Sequence, residues 1–244
     1  PVHQAELERR VPRTADGATV PYGDPAAGTW AEALNGGGHR EAGRANNCVD
    51  VALSAVDTLA GLPVCAAPRL PDGPAGERGG RDRAERELGT RFRDLGDGAG
   101  ALARLAEVLL RSGPGAQAVL LTLDAFGRSH SWNAVNHGDR LAYLDPQTGR
   151  VAGEPLYPAD HGLWAIAVDE RCRPLDLGEA PAALPAAAPS TAVPEPAPTP
   201  EPAPAAASVP EPVPAAVADP RPAEPAPPRS RLTVHRTAAG STRR

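Results

Sequence analysis

Three residue types in this chain could together perform nucleophilic chemistry: a cysteine, a histidine and an aspartate. Cys48 stands in "RANNCVDVALSAVDTLAG", where a stretch of helical periodicity begins. Unsatisfied N–H groups and the positive end of the helix macrodipole favour an anion there, so a thiolate is well placed to attack an electrophile. Cysteine is also among the most often buried residues, so a small core residue is the alternative reading of Cys48. A thiolate that attacks an amide needs a general base, and the base needs an acceptor that orients it.

Six histidines compete for the role of base. His3, His39 and His235 lie in segments with no regular pattern, and His137 and His161 lie in turns. His130 alone heads an apolar strand, "RSHSWNAVN", which holds it rigidly on the same face as Trp132 and Ala134. The next strand, "RLAYLD", ends in Asp145. Pairing of the two strands through "NHGD" brings His130 and Asp145 to one end of a sheet, where the carboxylate can accept from one imidazole nitrogen while the other faces Cys48. Asp145 before Pro146 also suits the start of a turn, and the two roles are compatible. Trp132 and Trp164 read either as core aromatics or as surfaces on which substrate stacks.

The elements that must position these residues follow from periodicity. Val49, Ala52, Val56 and Leu59 recur at spacings of three and four, Asn46 or Asn47 can cap the helix, and Gly61 with Pro63 stops it. Leu102, Leu105, Val108 and Leu109 mark a second helix over 99–111, ended by "SGPG". From Ala118 the pattern changes to the short runs "AVLLTLDA", "HSWNAVN", "RLAYLD" and "LWAIAVD", separated by turn residues as in an antiparallel meander. Helices followed by strands predict an α+β fold with the cysteine-bearing helix packed on an antiparallel sheet. Residues 66–100 are polar and rich in Arg and Gly, which predicts a surface excursion with one short helical piece. Its charges over 78–93 alternate in sign, as on a solvated face rather than a partner site.

Residues 1–23 show no sustained period and read as a linker or loosely ordered arm. Seventeen of the 30 prolines fall between Pro181 and Pro228, so 178–244 reads as a disordered Pro/Ala/Glu tail, partly polyproline II, leaving 24–177 as the one folded domain. The net charge of −5 gives no footprint for nucleic acid, and no apolar run approaches the 18 residues that would predict membrane insertion. Lys and Met are absent, which points to GC-rich coding and to a piece of a longer chain with Pro1 as an arbitrary start. The three cysteines form no CxxC pair, so neither a zinc ribbon nor a complete disulfide framework is expected, and Cys65 and Cys172 read as non-catalytic.

The combination of "NNCV", "ALSAVDTLAG", "SHSWNAVN" and "AYLDPQTG" resembles the papain-fold toxin domain, a glutamine deamidase, of bacterial polymorphic toxins, over about residues 24–170. Its most specific parts are Asn47-Cys48, His130 with Asn133, and the run from Asp145 to Gly149. The resemblance implies a papain-like cysteine-enzyme fold with Cys48 as nucleophile, His130 as general base, Asp145 orienting the histidine and Gln147 in a secondary role. It further implies no metal or organic cofactor, a target protein bearing the glutamine, a neutralising immunity protein, and delivery into a target cell within a larger bacterial protein. A cysteine protease or acyl transferase with the same three residues, and a catalytically inactive papain-like binding module, are the alternatives.

The chain departs from the papain pattern in three places. The interval from Cys48 to His130 is shorter than the about 130–150 residues of papain-type proteases, which fits a compact relative. Papain-like peptidases generally place a glutamine upstream to hold the oxyanion, and "REAGRANNC" offers none. That role then falls to the backbone N–H of Cys48 with the side chain of Asn46 or Asn47. Toxin domains of this kind usually end their chains, whereas a proline-rich tail follows here.

Overall fold

A computed structural model of the chain describes residues 2–70 and 77–178. The proline-rich tail lies outside the described residues from 179 onward. The elements are α1 (Val2–Arg10), α2 (Trp30–Ala33), α3 (Cys48–Leu59), α4 (Gly80–Leu88), β1 (Arg93–Asp94), α5 (Gly98–Arg111), β2 (Gln117–Leu123), β3 (Ser129–His137), β4 (Arg140–Asp145), β5 (Arg150–Ala152) and β6 (Leu163–Val168). The strands form one sheet in the order β1-β6-β2-β3-β4-β5, and every neighbouring pair is antiparallel.

The predicted meander is present, and its register follows from turn chemistry. His137 pairs with Arg140 across a two-residue loop in which Gly138 and Asp139 have φ of +55° and +63°. Two consecutive left-handed residues make a primed hairpin turn, whose twist matches that of the strands it joins. Residues alternate faces along β3. Trp132 and Ala134 pack with Leu105 and Leu109 of α5, while Val135 packs with Val51 and Ala55 of α3 on the opposite face. The sheet is thus the middle layer between α5 and the helices around α3.

The helix carrying Cys48 is more deeply buried than an amphipathic pattern predicts: ten of its twelve residues are buried. One flank, with Val51, Ala55 and Leu59, is covered by Leu7, Trp30 and Leu34, and another, with Ala52, Leu53 and Val56, by Ala84, Phe92 and the sheet. A helix apolar on most sides belongs inside a core. Buried amides fasten the layers together: Asn133 Nδ2 donates to Ala52 O at 3.1 Å and Asn136 Nδ2 to Leu109 O at 3.0 Å. These bonds satisfy groups that would otherwise cost about 1–3 kcal/mol to bury.

Two expectations are corrected. Residues 1–23 are no loose arm, because α1 inserts Leu7, fully buried, into the cluster that covers α3, and Tyr22 N donates to Leu59 O. One large apolar side chain among the charges of "QAELERR", helped by the bonds of Gln4 with Pro63 O and Cys65 N, docks the helix but is too little to produce a visible period. The stretch 66–100 contains the one predicted helical piece as α4, yet it also buries Ala84, Phe92 and Leu95 and adds the edge strand β1.

Candidate active site

Cys48 is the first residue of α3, as the residue pattern predicts. Asn47 occupies the cap position, but no side chain caps the helix. Asn47 is fully buried and spends its amide elsewhere: Nδ2 donates to Asn35 Oδ1 at 2.9 Å and to Ala67 O at 3.0 Å. Its Oδ1 accepts from Gln147 Nε2 at 3.4 Å, and Asn35 Nδ2 in turn donates to Gln147 O at 2.9 Å and to Arg44 O at 3.0 Å. Three amides therefore tie the residue before Cys48 to the turn after Asp145. This network takes from Asn47 the oxyanion role expected of it, since both of its amide protons are engaged within the protein. Asn46 is half-buried and makes no side-chain hydrogen bond among the described residues. Leaving a helix uncapped costs about 1 kcal/mol, and it leaves the first-turn N–H groups of α3 open to an anion beside the sulfur.

His130 and Asp145 meet at one end of the sheet. His130 stands opposite Thr122 in the β2–β3 ladder, and Asp145 is the last residue of β4. By alternation His130 belongs to the α5 face, whereas Cys48 begins the helix packed on the other face. His130 Nε2 lies 3.3 Å from Asp145 Oδ2, an ionic contact that falls short of an aligned hydrogen bond. Such contacts commonly tighten only when substrate is bound. The Cys48 sulfur is close enough to act on the charge of His130, with no aligned hydrogen bond between the two among the described residues. Burial pulls the imidazole pKa down, but the Asp145 carboxylate and the Cys48 sulfur outweigh it and hold His130 at about 9.

The surroundings of Asp145 are saturated. Its carboxylate is fully buried; Oδ1 accepts from Gln147 N at 3.1 Å, and Oδ2 accepts from Thr148 Oγ1 at 2.7 Å and from the hydroxyl of Tyr157. Burial pushes its pKa up, while His130 and then the Tyr157 and Thr148 hydroxyls pull it further down, to about 2. Asp145 O also accepts from Thr148 N at 3.2 Å, so the same residue begins the turn and meets the histidine.

Of the other expected site residues, Gln147 joins the amide network. Trp132 is corrected: it is fully buried against α5 and donates Nε1 to Thr122 Oγ1 at 3.2 Å, so it offers no surface to substrate. Asn133, part of the resemblance, is a tether to α3 away from the sulfur. Asn35 and Tyr157 escaped the sequence reading, in which Thr148 stood only as part of the run from Asp145 to Gly149. Cys65 and Cys172 are free thiols whose pKa values burial pushes up.

Close by, Asp50 fastens α3 to the polar excursion. Arg83 forks onto its two oxygens at 3.1 Å each, and Arg69 Nε donates to Oδ2 at 2.8 Å. Glu77 Oε1 accepts from Arg83 Nη2 at 2.8 Å. The Arg-rich stretch is therefore partly a clamp on the start of α3 as well as a solvated face.

No curated protein and no solved structure matches the chain. The model of a protein family described as "Papain fold toxin 1, glutamine deamidase" matches residues 46–150, which run from Asn46 through Cys48, His130 and Asp145 to Arg150. Helices against a six-stranded antiparallel sheet agree with that description, and residues 46–150 are similar to that family over less than half of the chain.

Proposed function

We propose that the chain deamidates a glutamine of a target protein through Cys48, His130 and Asp145. The observation that supports this reading is the contact of His130 with the buried Asp145 carboxylate at the end of the sheet, with Cys48 heading the helix packed on that sheet. An imidazole held at about 9 is charged at neutral pH, the state it reaches by taking the thiol proton. The sulfur attacks once its proton has passed to His130.

The sulfur bonds to the amide carbon of the glutamine side chain, and the carbonyl π pair moves to oxygen. The uncapped N–H groups of the first turn of α3, that of Cys48 included, hold the oxyanion. As the carbonyl re-forms, the C–N bond breaks and the imidazolium gives its proton to nitrogen, so ammonia leaves and a thioester remains. His130 then deprotonates water, which attacks the thioester carbon; the C–S bond breaks and the product is glutamate. Asp145 stays ionised throughout and fixes the ring. The target gains a negative charge where it had a neutral amide, which disables a surface that must be desolvated or pair with carboxylates.

The same reading extends to an effector delivered into another cell within a larger bacterial protein, with an immunity protein as its antagonist. Expression in bacterial cells of the chain and of Cys48→Ala, followed by peptide mass spectrometry, tests it. Glutamines that gain about one dalton, NH2 replaced by OH, only with the wild type support the deamidase. New chain termini in place of mass gains would move the reading to a protease.

A further inference from the structure

We propose that Tyr157 is a positioning residue for the deamidation, its hydroxyl holding the Asp145 carboxylate in the orientation His130 requires and its ring closing one edge of the imidazole. This rests on the deamidase reading above. Tyr157 lies beyond residue 150, outside the segment matched by the family, on the loop between β5 and β6.

A carboxylate at a strand end turns easily about its last torsion, which has broad minima. Asp145 has one oxygen, Oδ2, directed to His130, and the same oxygen receives the hydroxyls of Tyr157 and Thr148. Thr148 belongs to the turn that Asp145 itself begins, so it moves with the carboxylate. Tyr157 comes from a separate loop and supplies an external reference. Its ring meets His130 edge-on at 5.0 Å and 77°, and meets Trp132 at 5.4 Å and 72°. Trp132 is fully buried, so the ring rests on a fixed wall. Arg150 lies 5.7 Å over the ring, and Gly98 N donates to Ala159 O at 2.9 Å, anchoring the loop two residues further on. The titratable groups facing His130 are Cys48 from α3, Asp145 from β4 and Tyr157, with Arg150 of β5 against the tyrosine.

NMR titration of the His130 ring in the full chain, for wild type and Y157F, tests the assignment, together with alkylation of Cys48 by iodoacetamide read by mass. Phenylalanine preserves the ring between His130 and Trp132, and an unchanged circular dichroism spectrum checks the fold. Two effects of removing the hydroxyl have opposite signs. Loss of a donor alone concentrates charge on the carboxylate and raises the His130 midpoint, whereas loss of alignment lowers it. Positioning therefore predicts a midpoint about one pH unit lower in Y157F, with slower alkylation of Cys48. A midpoint that stays or rises in folded Y157F overturns the role assigned to Tyr157 and leaves the deamidase reading standing. A wild-type midpoint near the ordinary value of about 6.5, with Cys48 no more reactive than the other cysteines, overturns both.

Discussion

Asp50, two residues after Cys48, and Asp145, at the end of β4, are both buried carboxylates, yet their surroundings differ in kind. Asp50 faces the guanidinium groups of Arg69 and Arg83, with Glu77 completing the cluster. Arginine stays charged at any pH a folded protein meets, so this pairing is permanent and can only hold α3 against the loop and α4. Asp145 faces a backbone N–H, two hydroxyls and one imidazole. Only the imidazole can change its charge near neutral pH, so the field Asp145 exerts is felt where a proton must move. A structural carboxylate and one suited to catalysis can share a fold and a degree of burial; the partners decide which is which.

The contrast is sharpest when each acid becomes its amide. Asp145→Asn is expected to lower deamidation on the order of 10³–10⁴-fold, measured as ammonia release, because an amide cannot hold the imidazolium. A loss below about tenfold would erase the distinction between the two acids. Asp50→Asn should instead cost about 3 kcal/mol in urea unfolding, since it leaves two arginines short of a counter-charge, with the His130 titration midpoint in place. A shifted midpoint in that variant would mean that the clamp also sets the proton chemistry.

Asn35→Ala tests the joint between the two ends of the site. It removes the amide that bridges Asn47 and Gln147, and a stability loss of about 1–3 kcal/mol is expected in thermal unfolding, with turnover falling alongside. The smallest effect is that of pH on stability. Asp145 is held at about 2 against an ordinary 3.8, so its contribution is complete above about 4 and drains away as pH falls toward 2. His130 is held at about 9 against 6.5, so its contribution is complete below 6.5 and drains away as pH rises through 9. Urea midpoints across pH should show a plateau between these limits, with the alkaline decline gone in His130→Ala and retained in Asp50→Asn.

Residue types singled out Cys48, His130 and Asp145 as candidates, because nucleophilic chemistry restricts the residues that can serve, and the hairpin turn explains why His130 and Asp145 meet. Tyr157 was hidden in "GEPLYPADHG", whose Gly and Pro mark a loop and say nothing of which way a tyrosine turns. Asn35 was hidden for a similar reason: a buried amide network is set by tertiary contacts, and an Asn before a run of glycines looks like any turn. Trp132 shows the converse, since alternation located its face and only packing could show that α5 covers it. α1 docks through one buried apolar side chain, Leu7, and through hydrogen bonds of Gln4 with Pro63 O and Cys65 N, a pattern below what periodicity can register.

Cysteine reactivity offers the most direct test of the site as a working unit, because it needs no knowledge of the target. Cys48, Cys65 and Cys172 are all free, and burial pushes the last two away from the reactive thiolate form. Iodoacetamide at pH 6, followed by peptide mapping, should label Cys48 first in the wild type and lose that preference in His130→Ala. Equal labelling of the three cysteines, or a preference for Cys48 that survives the loss of His130, would contradict the account.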